Sequence, residues 1–150
     1  QLLIMYNVVL LNVTDNKMVV AVIAFGLNSS AYMAEIYRSG INAVDPGQME
    51  AGRSLGLGYG TTMRFVIVPQ AVKAILPALG NEFVTLVKES SICSTIGVSE
   101  LMFGANLTRG ATYQTMGPLL LAAGLYLCMT FPASKLLGYV ERRMRRGDAR

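Results

Sequence analysis

The chain has 150 residues, 53% hydrophobic and only 15% charged, with a net charge of +4. An ordinary soluble domain carries roughly 25% charged residues, and a mean hydropathy of +0.45 points to a membrane protein or a piece of one. Histidine is absent, which excludes a His triad, a His-based metal site and a His pH switch; two cysteines, Cys93 and Cys128, exclude a disulfide framework and a Cys-rich zinc module.

The opening QLLIMYNVVLL, residues 1–11, is apolar but too short to span alone. It reads as the end of a helix that starts earlier, in a chain truncated at its N-terminus. No basic stretch precedes it and no small-residue cleavage site follows, so it does not read as a signal peptide. A bilayer core of about 30 Å needs about 20 apolar helical residues. Residues 18–38 supply them, with no charge between Lys17 and Glu35. Residues 66–88 form a second span, interrupted by Pro69, Lys73, Pro77 and Glu82. Residues 113–137 form a third, in a stretch free of charge between Arg109 and Lys135. A basic tail, 138–150, follows. The fold class is all-α: a polytopic transmembrane helical bundle of three full spans and an N-terminal remnant, in a single domain.

The basic residues orient it. Arg38, Arg53 and Arg64 lie in or beside the loop between the first two spans, and six more, Lys135, Arg142, Arg143, Arg145, Arg146 and Arg150, lie at the end of the last span or after it. Against these nine stand Lys17, Lys88 and Arg109, with Lys73 left aside. The positive-inside rule places the loop and the tail in the cytoplasm. The tail ERRMRRGDAR would otherwise suit RNA or anionic lipid, but topology already accounts for it, and no nucleic-acid partner is expected.

That loop is the most informative stretch. Asp45-Pro46-Gly47 is turn chemistry. Residues 48–57 then read as a short amphipathic helix with Met49, Arg53 and Leu57 on one face, ended by Gly56, Gly58 and Gly60. The glycine-rich run lacks the Gly-x4-Gly-Lys-Ser/Thr pattern of a phosphate-binding loop, as does the rest of the chain.

Glu50-Ala51-Gly52, three residues, Gly56, nine residues, Val66, one residue, Val68-Pro69 resembles the EAA motif of ABC importer permeases. Gly52 stands where the motif has its second Ala, and valines replace its Ile and Leu. The stretch SSAYMAEIYRSGINAVDPGQMEAGRSLGLG, and NEFVTLVKESS and IGVSEL further on, are similar to the polar amino-acid subfamily, the histidine, glutamine and arginine type importers. The resemblance covers roughly residues 28–143. It implies a type I importer permease fold and makes the loop helix a coupling helix, which docks on a separate ATPase subunit and moves when ATP closes the ATPase dimer. Gln48, Glu50, Ala51, Gly52, Arg53, Leu55, Gly56 and Pro69 would form this coupling element. Glu50 would cap or pair near the helix start, Ala51 and Gly52 would allow close backbone approach, and Gly52 would cost about 1 kcal/mol of helix stability relative to Ala. Pro69 would break a short interfacial helix, Thr61–Val68, from the span.

Polar groups at membrane depth usually face a bundle interior or a water-filled path. Asn28, Tyr32 and Glu35 share a face of the first span, and Glu35 with Arg38 reads as an i, i+3 ion pair. Asn81, Thr85 and Glu89 share a face of the second, with Glu82 beside them. Asn28, Tyr32, Asn81, Glu82, Thr85 and Glu89 are candidates for the substrate path, where a zwitterionic amino acid needs an acidic group and donors, or they satisfy one another between helices. Residues 92–112, with Gly97, Gly104 and Gly110, read as short irregular helices on the outer side, the vestibule that the resemblance assigns to a solute-binding protein. Pro118 fits the first turn of the last span, Pro132 a kink, Cys128 a lipid-buried position and Cys93 a packing position.

The expected protein is therefore a permease subunit in a bacterial inner membrane. It moves polar amino acids inward by alternating access, as one of a pair with two ABC ATPase subunits and a periplasmic or surface solute-binding protein. It would hold no cofactor itself, with ATP and magnesium on the ATPase partner. A permease for another small solute such as an opine, or a non-transporting membrane adaptor, are the alternatives. A membrane enzyme lacks a nucleophile–base set or metal cluster to support it.

Overall fold

A chain that crosses lipid must satisfy its backbone groups internally, and helices do this within one segment. The computed structural model describes residues 1–10 and 14–146, and among the described residues the regular structure is entirely helical. Helix α1 (Leu2–Ile4) runs into a π-helical segment, Met5–Leu10. Next come α2 (Lys17–Asn42), α3 (Pro46–Ser54) and α4 (Tyr59–Thr62). A π turn, Met63–Ile67, leads into α5 (Val68–Glu89), and a 3-10 segment, Ser90–Ile96, ends that rod. Helices α6 (Leu101–Thr112) and α7 (Met116–Arg146) complete the chain.

Among the described residues, three helical stretches are long and apolar enough to cross a membrane: Lys17–Asn42, Tyr59–Ile96 and Met116–Met144. Only 22%, 17% and 6% of their most apolar windows are buried within the chain. The rest of that surface suits lipid or neighbouring subunits rather than water. Helix α7 has 31 residues, about 46 Å at 1.5 Å per residue, so it exceeds a 30 Å slab. The segment expected as a tail after residue 137 is therefore helical as far as Arg146.

Pro69 does not break the second span. Proline has no N–H to offer the carbonyl four residues back. The π turn lies immediately before it and already shifts pairing by one residue: Val68 N–H bonds the Met63 carbonyl. The helix therefore runs through, and Thr61–Val68 is not a separate interfacial helix. Pro77 and Pro132 also sit inside α5 and α7. Residues 92–112 are more regular than expected, because Gly104 and Gly110 lie within one continuous α6; only Gly97, at φ 78°, marks a break.

The chain divides into two compact units, Gln1–Ser30 with Glu82–Lys135 and Ala31–Asn81 with Leu136–Arg150. In the first, Leu2, Ala21, Ala24, Cys93, Ile96 and Val98 form a core joined by Met5, Tyr6 and Phe25. Cys93 is thus a packing residue, while Cys128 is exposed on the surface of the chain. In the second unit small residues set the helix crossings. A Cβ on Gly40 would stand 2.2 Å from Ile75 Cγ1, and one on Gly80 2.2 Å from Leu137 Cδ2.

Candidate functional site

The loop helix α3 is built at both ends by backbone chemistry. Asp45 is its N-cap: Oδ1 accepts from Gly47 N–H at 2.8 Å, and Pro46 occupies the first turn, where no N–H is needed. The helix thus begins at Pro46, ahead of the expected Gln48. Glu50 does not cap it. It lies beyond the first turn, where the helix dipole has little hold on a carboxylate, and its side chain is exposed.

The other end closes at Ser54, short of the expected Leu57. Gly56 takes φ 82°, Gly56 N–H bonds Arg53 C=O at 3.0 Å, and Leu57 N–H bonds Gly52 C=O at 3.1 Å. This pair of bonds is a Schellman closure. It turns the chain away before Leu57, so Leu57 leaves the face shared by Met49 and Arg53.

Helix α3 rests on α4 and the π turn. Gly52 is buried at that contact and Met49 is half-buried, whereas Gln48, Glu50, Ala51 and Arg53 are exposed. Leu55 is 82% exposed, a large aliphatic side chain that finds no cover within the chain. Gln70 Nε2 donates to Val66 C=O at 2.9 Å and reaches Gln48 Oε1 at 3.5 Å. Pro69 is exposed. The sequence did not single out Thr62, the residue Gly52 packs on; it is the buried polar side chain among the described residues, at 0% exposure.

The candidates for a polar path separate. Asn28 and Glu89 line one cavity of about 350 Å³ in the first unit, with Leu3, Ala24, Phe25 and Ile92 among its apolar walls. Glu82 has a partner on another helix: Ser29 Oγ of α2 donates to its Oε1 at 3.3 Å. Thr85 is half-buried on α5, and Tyr32 and Asn81 are exposed. Ser30 bonds back to Leu27 C=O. Glu35 and Arg38 form an ion pair at 2.8 Å.

A second polar junction went unread in the sequence. Glu100 caps α6, accepting from Met102 N–H at 2.7 Å and from Phe103 N–H, and it also accepts from Tyr126 Oη of α7 at 2.8 Å. Glu100 and Tyr126 lie 26 residues apart, and no local spacing announces such a pair.

A sequence profile for the family described as binding-protein-dependent transport system inner membrane component matches residues 2–146. The arginine transport system permease protein ArtQ of Bacillus subtilis (strain 168) is 43% identical over 128 residues, 85% of this chain and 58% of its own length. The probable glutamine ABC transporter permease protein GlnM of the same organism is 40% identical over 122 residues, 81% of this chain and 56% of its own. The chain thus spans a little over half the length of these relatives. A solved structure described as an amino acid ABC transporter with histidines superposes with a TM-score of 0.89 at 49% identity, over 95% of this chain and 67% of that one. Fold, apolar helices and profile agree: this multi-pass membrane chain belongs to the family of binding-protein-dependent transport system inner membrane components.

Proposed function

We propose that the protein is the permease subunit of an ATP-driven ABC importer and moves polar amino acids into the cytoplasm by alternating access. The observation that carries this reading is α3, a rigid short helix capped at both ends and seated on the rod that continues into a span. Its outer face, Gln48, Glu50, Ala51, Arg53 and Leu55, is uncovered by the chain itself. That is the shape needed to receive force from a soluble motor. In this reading ATP is bound with magnesium and hydrolysed on the partner ATPase, and these 150 residues contain no Gly-x4-Gly-Lys-Ser/Thr pattern. Closure of the ATPases displaces α3, and α4 passes the displacement to α5 and the helices around the path. The excess of basic residues in the loop and tail supports a cytoplasmic side for α3, in what we take to be a bacterial inner membrane. A solute-binding protein then meets the opposite side, and a second permease subunit completes the pair.

The substrate class follows from the relatives' names and from polar chemistry at depth. Asn28 and Glu89 offer a donor and a carboxylate in one cavity, matching the two ends of a zwitterion. The test is reconstitution of the intact protein with its ATPase and binding protein in liposomes, followed with labelled arginine, glutamine and histidine and, in parallel, a labelled opine. ATP-dependent accumulation of one of them is the expected result. Accumulation of an opine alone would reassign the substrate, and a complex that assembles without moving any solute would identify an adaptor.

A further inference from the structure

One contact of the loop helix is not explained by the motif spacing. A Cβ on Gly52 would stand 2.5 Å from Thr62 Cγ2, 2.9 Å from its Oγ1 and 3.3 Å from its Cβ. Real Cβ contacts do not come that close, so an alanine here, the motif's usual residue, would force a shift. The obstacle is not the free end of a flexible side chain. Thr62 is β-branched, and its χ1 is restricted in a helix. Its hydroxyl donates to Gly58 C=O at 3.2 Å, the same carbonyl that accepts Thr62 N–H at 3.0 Å. Burial at 0% exposure leaves it no other place to go.

We propose that Thr62 is a positioning residue for coupling: matched in volume to Gly52, it sets how closely α3 sits on α4. This inference rests on the permease reading above. Thr62 ends α4, and the rod runs on without a break through the π turn into α5. A push on α3 therefore meets Thr62 first and passes along a continuous helix. The seat depends on the sum of the two side chains, so a methyl added at 52 is offset by bulk removed at 62. Gly52 in place of alanine thus reflects a compensated pair rather than a weakened helix.

The experiment uses the intact protein, reconstituted with its ATPase and binding protein and supplied with labelled arginine, glutamine and histidine. Uptake, ATP hydrolysed per solute moved, membrane abundance and bound ATPase are read together. Gly52→Ala should lower uptake about tenfold by overpacking, with abundance and bound ATPase unchanged and more ATP spent per solute. Thr62→Ala alone should lower uptake about threefold to fivefold, since it removes buried bulk from the seat and lets α3 settle off its set distance. The pair Gly52→Ala with Thr62→Ala should recover to within about threefold, and Gly52→Ala with Thr62→Ser, which removes Cγ2 but keeps the hydroxyl, should fall between. A double variant no better than Gly52→Ala would overturn the inference. So would a loss of uptake that merely tracks the amount of protein in the membrane. Absence of any ATP-driven uptake by the unaltered protein would instead remove the permease reading, and the inference with it.

Discussion

Helices α3 and α6 both lie outside the spans, and both begin with a carboxylate on backbone N–H groups. Asp45 accepts from Gly47 N–H, and Glu100 accepts from Met102 and Phe103 N–H. From there they diverge. Glu100 is half-buried and takes a further bond from the Tyr126 hydroxyl, which ties α6 to a spanning helix. Asp45 is exposed, and α3 is held mainly by the close approach of Gly52 to Thr62, with only one long side-chain hydrogen bond, 3.5 Å, from Gln70 of α5 to Gln48. A hydrogen bond resists separation. A steric contact resists compression and opposes separation only through weak dispersion. The α6 junction is therefore a tether, and the α3 junction is a stop. On the permease reading proposed above, α3 receives a push and a stop suits that task, whereas a tether keeps α6 in place.

The largest expected effect comes from destroying the frame that holds the stop. Exchanging Glu50 and Gly56 places a side chain at φ 82°, costing about 1–2 kcal/mol, and a glycine inside α3, costing about 1 kcal/mol. Together these should lower the properly seated population about 100-fold, and ATP-driven uptake with it. An adaptor would assemble normally with the same exchange. Uptake close to that of the unaltered protein would show that α3 carries no force.

The tether should yield less and fail differently. Tyr126→Phe removes one hydrogen bond to a carboxylate and should cost about 1–2 kcal/mol. Glu100→Ala also strips the cap and should cost about 2–3 kcal/mol. The double variant should fall short of additivity by about 1 kcal/mol. Thermal unfolding in detergent measures all three. Strict additivity would mean that the 2.8 Å contact contributes nothing beyond its parts.

The same contrast separates what the sequence makes legible from what it hides. Long uncharged runs mark the spans, because lipid imposes a length and a polarity. The motif spacing marks α3, because a helix, a turn and a return helix need fixed residue counts. Asp45-Pro46 holds a cap signal, but beside Gly47 it reads equally as a turn. The π turn before Pro69 leaves no trace in composition, so the proline reads as a break. Gly104 and Gly110 read as breaks for the same reason, although glycine is permitted rather than required where they stand. Thr62 and the Glu100–Tyr126 bond are invisible because each depends on which surfaces meet, not on local spacing. Depth and helix face mark the path candidates in the sequence, but neither announces that Ser29 of α2 engages Glu82.

The smallest expected effect concerns how the two helices end. Gly56 closes α3 in the left-handed region without steric cost, whereas Tyr113 closes α6 there at φ 56°. A non-glycine residue in that region carries about 1–2 kcal/mol of strain. Tyr113 is 94% exposed, so its ring returns little packing within the chain. Tyr113→Gly should therefore relieve the strain. Glycine also loses more backbone freedom on folding, about 0.5–1 kcal/mol, which offsets much of the relief. The net change should be a stabilisation below about 1 kcal/mol, read as a small rise in thermal midpoint with uptake preserved. A clear fall in uptake at unchanged stability would mean that the exposed ring meets something outside this chain, and that the end of α6 is a contact surface rather than a strained cap.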